Sequence, residues 1–361
     1  MTTTVPTISL DLQELPTTMR AAIFIGGGKP LEIRDWPVPT PGPGEILVKV
    51  VACGLCHSDL HYLDHGVPTF KQPPLVLGHE VVGHVVRVGA GVDPQRIGTA
   101  VLLAPETTCG TCVLCRTGRE NVCSDQKMLG NNIDGGFADY IVTTSRDAFP
   151  VPDGLPLVEM SVVSDALTTA FNAVVRRAQI QPGETVAVVG CGGLGLSLVQ
   201  VTSMVGARVI AVDIDPKKLE LALQFGASAA VDGKGDDAPK RIRKEAGGGG
   251  VEVAIEAIGR PETQETAIAS LRTGGRAIFL GSSAKPMTLQ GGRVMYRELS
   301  VIGTLGSRPI DFPVVMDLVK RGKLNAAALV THRHTLDQVN EGFDELRKGI
   351  GIRHVAVIGA G

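Results

Sequence analysis

Aromatic side chains are scarce in this chain of 361 residues: nine Phe, three Tyr and one Trp, 4% of the whole. A surface that stacks nucleic-acid bases needs such rings, so a single-strand-binding role is disfavoured. Excess charge of one sign is lacking too. Lys and Arg number 35 and Asp and Glu 37, a formal net charge of -2, which offers no electrostatic hold on nucleic acid or an anionic membrane surface. No uninterrupted apolar run reaches the roughly 18 residues of a membrane-spanning helix. Residues 1–18 lack the basic start and apolar stretch of a secretory signal and read as a polar extension. With seven cysteines and no export signal, the expected setting is reducing and cytoplasmic, with thiols serving metal or catalysis.

What is present is enough apolar residue, 43%, for sizeable cores, and a length that suggests about two domains. Four cysteines stand out: Cys109, Cys112, Cys115 and Cys123, spaced C-x2-C-x2-C-x7-C. Thiolates so close in sequence can close a tetrahedral shell around one Zn2+, and four sulfurs leave no open corner, so such a zinc is structural. Gly110 and Gly118 give the loop the freedom to wrap the ion. The alternative, free thiols or two disulfides, suits small secreted domains better than this chain.

Residues 19–150 read as β-rich. Apolar runs at 45–51 (EILVKVV) and 81–88 (VVGHVVRV) alternate with turns, and the proline-rich stretch 37–44 excludes a helix or central strand. The pattern changes after about residue 165. Strands are expected at 185–189, 208–212, 251–255 and 277–280, with helices at 194–205 and 217–225 between the first of them. Such alternation specifies a doubly wound parallel sheet. A helix near 313–321 and a strand at 354–358 follow.

Gly190-Cys191-Gly192-Gly193-Leu194-Gly195 matches G-x-G-x-x-G between an expected strand and helix, the context a dinucleotide-binding loop requires. Gly190 permits the tight turn, Gly192 the approach of the pyrophosphate, and Gly195 close helix packing, with Gly193 and Leu194 opening the helix. Asp213 lies 23 residues after Gly190, where a carboxylate accepts from the adenosine ribose hydroxyls and repels a 2'-phosphate. NAD is the expected dinucleotide. Lys218, five residues on, reaches the ribose edge or simply lines a solvated helix face.

The second constellation is Cys56-His57-Ser58-Asp59-Leu60-His61 with Gly78-His79-Glu80. A thiolate and an imidazole from separate loops can hold a zinc whose open corner takes substrate. Cys53-Gly54-Leu55-Cys56 also matches a redox C-x-x-C, but no thioredoxin-like βαβ unit follows it. His65, His84, His332, His334 and His354 show no ligand spacing to the site and read as surface or packing residues.

With these motifs in this order, the chain resembles the zinc-dependent alcohol dehydrogenases of the medium-chain dehydrogenase/reductase superfamily, over nearly all residues after 19. The resemblance implies an α/β fold: a GroES-like β-rich catalytic domain (19–166 and 303–361, structural zinc lobe 105–125) around a Rossmann NAD-binding domain (167–302). It implies two Zn2+ per chain and NAD, a small alcohol or carbonyl substrate, and a homodimer or homotetramer. Cys56 and His79 match catalytic zinc ligands. Ser58 matches the hydroxyl that takes the alcohol proton, His61 the relay to solvent, and Asp59 the carboxylate that orients the ligand histidine. Glu80 matches an acidic neighbour able to approach the zinc. His57 and Arg353 match pyrophosphate contacts. Common members supply a cysteine as third ligand; here Asp165 falls at that position, in Val162–Phe171, which has no cysteine. It matches the ligand unless it is only a helix N-cap.

Segments 62–70 and 103–106 are expected to line the substrate cleft. The Asp165 segment, the cysteine lobe and Gly130–Phe137 are also similar to dehydrogenases of 6-hydroxycyclohex-1-ene-1-carbonyl-CoA, which implies an alicyclic hydroxyacyl-CoA as the alternative substrate to a simple alcohol. Two other readings stand beside these. A non-catalytic NAD-binding protein would keep only the structural zinc. A metal-free quinone or enoyl reductase would lack Cys56, Ser58, His79 and the cysteine lobe.

Overall fold

The computed structural model describes residues 15–283 and 285–359. Most of the polar extension (1–14) lies outside the described residues, and a first strand already begins at Thr18.

The parallel sheet forms around the four expected strands, with two edge strands, Ala229–Asp232 and Ser300–Gly303, beyond them. Its strands run, edge to edge, Ala229–Asp232, Arg208–Asp213, Thr185–Val189, Val251–Glu256, Leu271–Phe279 and Ser300–Gly303. The strand order reverses direction between Thr185–Val189 and Val251–Glu256, and a crevice opens at the strands' carboxyl ends at such a switch point. The helix Gly193–Met204 starts directly after that central strand, and its apolar face (Leu196, Leu198, Val199, Val201) is buried. The helix Pro216–Gln224 has a clear local cause. Asp215 caps it by accepting from the Lys217 amide at 2.9 Å, and proline stands at its first position.

The second large sheet holds seven strands. Ala148–Pro150, Ala100–Leu103, Glu80–Val88, Glu45–Leu55, Arg353–Val357 and Val330–Thr335 are neighbours in that order, and Tyr140–Thr144 pairs with Glu45–Leu55. Glu45–Leu55 is central and almost wholly buried, as its apolar sequence demands. Its register does the positioning. Gly54 lies opposite Glu80, and Leu55 opposite His354. Cys56, His79, Glu80 and Arg353 are therefore delivered to one end of three adjacent strands.

A continuous helical run from Leu157 to Arg177 joins the two sheets, with wider π-turns at Val163–Leu167 and Asn172–Arg177. One core contains Val51, Ala52 and Val82 of the catalytic sheet, Leu167 and Ala170 of this run, and Val186 and Val188 of the parallel sheet. Arg176 on the same run pairs at 2.8 Å with the fully buried Asp311, tying down the helix Asp311–Lys320.

Candidate active site

The four lobe cysteines converge. Sγ–Sγ separations are 3.8 Å (Cys109–Cys115), 3.8 Å (Cys112–Cys123) and 3.5 Å (Cys109–Cys123). A tetrahedron of sulfurs about 2.3 Å from a central zinc has edges near 3.8 Å, whereas a disulfide needs about 2.05 Å. Backbone N–H groups also aim at the sulfurs: Cys112 donates to Cys109, and Cys115 to Cys112, each at 3.4 Å. Amides of Thr111 and Cys112 bring the Cys109 thiol down to about 6, toward the thiolate a metal requires. Gly110 and Gly118 both adopt positive φ.

The second cluster is buried where the strands end. Donor atoms of Cys56, His79, Glu80 and Asp165 lie within 4.8 Å of one another. Cys56 Sγ is 3.8 Å and His79 Nε2 3.9 Å from the same Asp165 oxygen, Oδ2. Mixed S, N and O ligands of one zinc would sit somewhat closer, at roughly 3.3–3.6 Å, so small side-chain rotations complete the shell. Asp165 is not a helix N-cap. It sits inside the π-turn of the helical run, a widened turn of the kind frequent at functional sites. The Thr169 hydroxyl holds its other oxygen at 2.7 Å. Burial opposes a charge on His79, but hydrogen bonds to Asp165 and Cys56 and the charge of Asp59 more than offset this. Its affinity for a positive partner is raised well above the ordinary value. The same exchange, against the cost of burial, holds Asp165 well below the usual carboxylate range. A buried donor set this hungry for positive charge fits a divalent cation.

Asp59 stands behind His79, its Oδ1 3.8 Å from Nδ1, and both atoms are buried with no hydrogen-bond partner among the described residues. This is the second nitrogen a metal-bound imidazole presents to an orienting carboxylate. Asp59 Oδ2 accepts from the Cys56 amide at 3.1 Å. Ser58 Oγ lies 3.5 Å from Cys56 Sγ. His61, one turn further along the helix His57–Asp64, shares a face with Ser58. Its ring nitrogen is 3.1 Å from that of His65. His65, read from sequence as a surface or packing residue, is thus paired with His61.

Arg353 has a role that sequence did not show. It is buried and its Nη1 donates to Glu80 Oε1 at 2.9 Å. On its other side it abuts the nucleotide loop, where a Cβ on Gly193 would come within 2.7 Å of Nε. It therefore stands between the metal ligands and the glycines. In that loop Gly190 has φ +98°, a Cβ on Gly195 would fall 1.8 Å from the Gly190 carbonyl, and the space above Gly192 is open. Leu194 is half-buried in the helix's first turn. Asp213 closes the neighbouring strand, and its Oδ2 accepts from the Cys191 amide at 2.7 Å. Lys218 is half-buried, and its charge is felt at both His57 and Cys191.

His57 lies on the exposed first turn of the helix His57–Asp64. Partial desolvation, followed by the charges of Arg353 and Lys218, lowers its affinity for a proton.

Other expectations are corrected. Tyr62, placed in a cleft-lining segment, is a core residue whose hydroxyl accepts from Asn131 at 2.7 Å. Leu103 is fully buried in the same core. Gly130–Phe137 is scaffold: Gly135 and Gly136 pack against Leu77, Gly78 and Val81, and Phe137 is buried. Cys53 is a buried free thiol pushed up by desolvation, unsuited to redox exchange with Cys56. His332, His334 and His354 are not separate surface or packing residues; they gather in a cluster of their own with Glu345.

Comparison with known proteins agrees with this geometry. Residues 42–153 match the family described as alcohol dehydrogenase GroES-like domain, and 193–321 that described as zinc-binding dehydrogenase. An alcohol dehydrogenase of Geobacillus stearothermophilus is 32% identical over 92% of this chain and 97% of its own. A sorbitol dehydrogenase of Bacillus subtilis is 31% identical over 91% and 94%. The solved structure of an Escherichia coli CFT073 alcohol dehydrogenase, complexed with NADH, superposes with a TM-score of 0.88 at 28% identity, covering 95% of this chain and all of that one. Among the described residues no helix is long and apolar enough to cross a membrane.

One outcome is expected. Asp165→Asn leaves only the four-thiolate site filled, so zinc content measured by mass spectrometry halves; full retention would show that Asp165 is no ligand.

The chain belongs to the zinc-dependent alcohol dehydrogenases of the medium-chain dehydrogenase/reductase superfamily, and its reaction is the reversible transfer of hydride between an alcohol and NAD.

Proposed function

We propose that the substrate is a small alcohol bearing a second hydrogen-bond donor, such as a polyol or an amino alcohol. The observation that carries this is Glu106. Its residue is half-buried overall, but burial of the head group, followed by the charge of Asp165, raises its carboxyl to about 7, with His79 acting oppositely. It therefore stands close to the metal ligands. Across from it is Gly306, whose Cβ position is 3.4 Å from Oε1. No described Lys or Arg is among the groups acting on it. A carboxylate so placed accepts a hydrogen bond from a substrate hydroxyl or ammonium. The sorbitol dehydrogenase named above acts, by its name, on a polyol. The three segments that suggested an alicyclic hydroxyacyl-CoA are the Asp165 turn, the cysteine lobe and the packed Gly130–Phe137 stretch, and they bear on scaffold and metal rather than on substrate.

Cys56, His79 and Asp165 are read as ligands of a catalytic zinc, with Glu80 in reserve, and Cys109, Cys112, Cys115 and Cys123 as ligands of a structural one. Zinc supplies polarisation of the alcohol oxygen, and NAD the hydride acceptor. Ser58 takes the hydroxyl proton, and His61 with His65 carries it outward. Asp213 and Lys218 would hold the adenosine ribose, with the carboxylate favouring NAD over NADP. Arg353 and the His57 ring, with Gly192 and Gly193, would hold the pyrophosphate. The catalytic domain is assigned to 19–166 with 303–361, and the NAD-binding domain to 167–302. The free thiols suit the cytoplasm.

A homodimer is proposed through the edge of the parallel sheet. Ser300–Gly303 is an edge strand with Val301 outward, and Met295 and Tyr296 nearby are 76% and 85% exposed. Light scattering of the purified protein should give twice the chain mass; a monomer would overturn this.

Initial rates with NAD+ should favour a diol or amino alcohol over the matched mono-ol by about 10-fold or more in kcat/KM, the value of one hydrogen bond to a charged group. Glu106→Ala should collapse that ratio toward one. Equal kcat/KM for both classes in the wild type would sink the proposal.

A further inference from the structure

Outside the active site, one polar cluster has no role in the reaction. His332 and His334 alternate on the strand Val330–Thr335 and so share a face. His354, on Arg353–Val357, lies opposite His332 in register. The helix Val339–Arg347 packs against both strands and brings Glu345 to the same place. It comes close because residue 342 is glycine: a Cβ there would sit 2.9 Å from His334 Cδ2 and 3.1 Å from Nε2.

We propose that His334, His354 and Glu345 form a third metal site, for a borderline divalent cation such as Zn2+. His334 Nε2 and His354 Nδ1 are 3.0 Å apart. Glu345 Oε2 lies 3.4 Å from the latter and 3.6 Å from the former. Nitrogen and oxygen ligands about 2.0–2.1 Å from a tetrahedral zinc are separated by roughly 3.3–3.4 Å, so the triangle already has the size of one face of the shell. Two imidazoles and one carboxylate select the zinc class over magnesium or calcium.

The hydrogen-bond pattern agrees. His354 Nε2 is 2.8 Å from the Ile350 carbonyl, which fixes the proton on that nitrogen and leaves Nδ1 with its lone pair inward. Metal-bound histidines are commonly oriented by this contact. A hydrogen bond from His334 to His354 would use the one proton between the rings. Glu345 Oε2 would then remain as it is here, buried with no hydrogen-bond partner. One cation at the centre satisfies all three atoms. The two rings are 8% and 0% exposed, and burial lowers the affinity of both for a proton, so they stand neutral as ligands must. His332 stacks on His354 with centroids 4.6 Å apart, and its ligand atom lies within 4.8 Å of those of Glu345 and His354. Its Nδ1 lies 2.9 Å from the Thr331 hydroxyl, so the fourth corner falls to a water. An ion here would pin the helix Val339–Arg347 to the strand that carries Arg353.

The test is equilibrium dialysis of the NADH-binding holoenzyme, its two cysteine-containing sites already filled, against micromolar Zn2+, with metal counted by mass spectrometry. Wild type should take up a third zinc per chain; Glu345→Gln and, independently, His334→Gln should stop at two while still binding NADH. Co2+ added to the two-zinc enzyme should give visible bands without sulfur-to-metal charge transfer, and the melting temperature should rise with added ion in wild type only. Two zincs in the wild type, or a third that persists in both variants, would overturn the site. If one variant fails to fold, the other carries the comparison.

Discussion

The buried pair between Arg353 and Glu80 is the contact on which the site depends. The two residues are 273 apart in sequence and 2.9 Å apart in space. Each is costly to bury alone, and removing either partner of such a pair typically costs about 3–5 kcal/mol. What the pair secures is an arrangement more than stability. Glu80 follows the ligand His79, Arg353 lies beside the strand end that yields Cys56, and the guanidinium rests on Gly193. Metal ligands and nucleotide loop are thereby held against one another at a single buried cation.

This arrangement explains the electrostatics around it. The charges of Arg353 and Lys218 oppose a further positive charge on the neighbouring His57 ring. On the other side, Cys56 and Asp165 supply two negative charges, enough to balance a divalent ion. Asp165 can reach inward because the helical run widens into a π-turn there. Hydroxyls of Ser164 and Thr168 bond back to the Ser161 and Ser164 carbonyls at 2.8 and 3.0 Å, as they do where a helix is strained from regular geometry.

Much of this was legible in the sequence because the signals were local. The strand 185–189, the glycine loop and the helix after it sit within twenty residues, and α/β alternation carried three more strands, though not the short edge strands Ala229–Asp232 and Ser300–Gly303. The four cysteines lie within fifteen residues and converge, so spacing alone marked them as a candidate site. Cys56 and His79 were recognisable only as parts of a family pattern. What stayed hidden was non-local. Nothing near Glu80 announces Arg353, and nothing in the spacing of His332, His334, Glu345 and His354 shows that a strand pair and a helix stack them together. Glu106 was assigned only to a segment; its significance is its surroundings, which sequence does not contain. Tyr62 misled for the opposite reason, since the position lies on the helix His57–Asp64 and is filled by a core side chain.

The two oxygens of Glu80 have unequal fates. Oε1 accepts from Arg353, while Oε2 is buried and unpartnered, in the same cluster as Cys56, His79 and Asp165. A carboxylate held by one oxygen can swing about that contact but cannot leave it without exposing Arg353 to the same desolvation it relieves. Any anion that approaches Arg353 across Gly193 competes for the guanidinium and loosens its grip on Glu80. A cation approaching the cluster pulls Oε2 the other way. Glu80 thus stands between Arg353, which abuts Gly193 of the nucleotide loop, and the cluster of Cys56, His79 and Asp165, joined to the loop through one guanidinium.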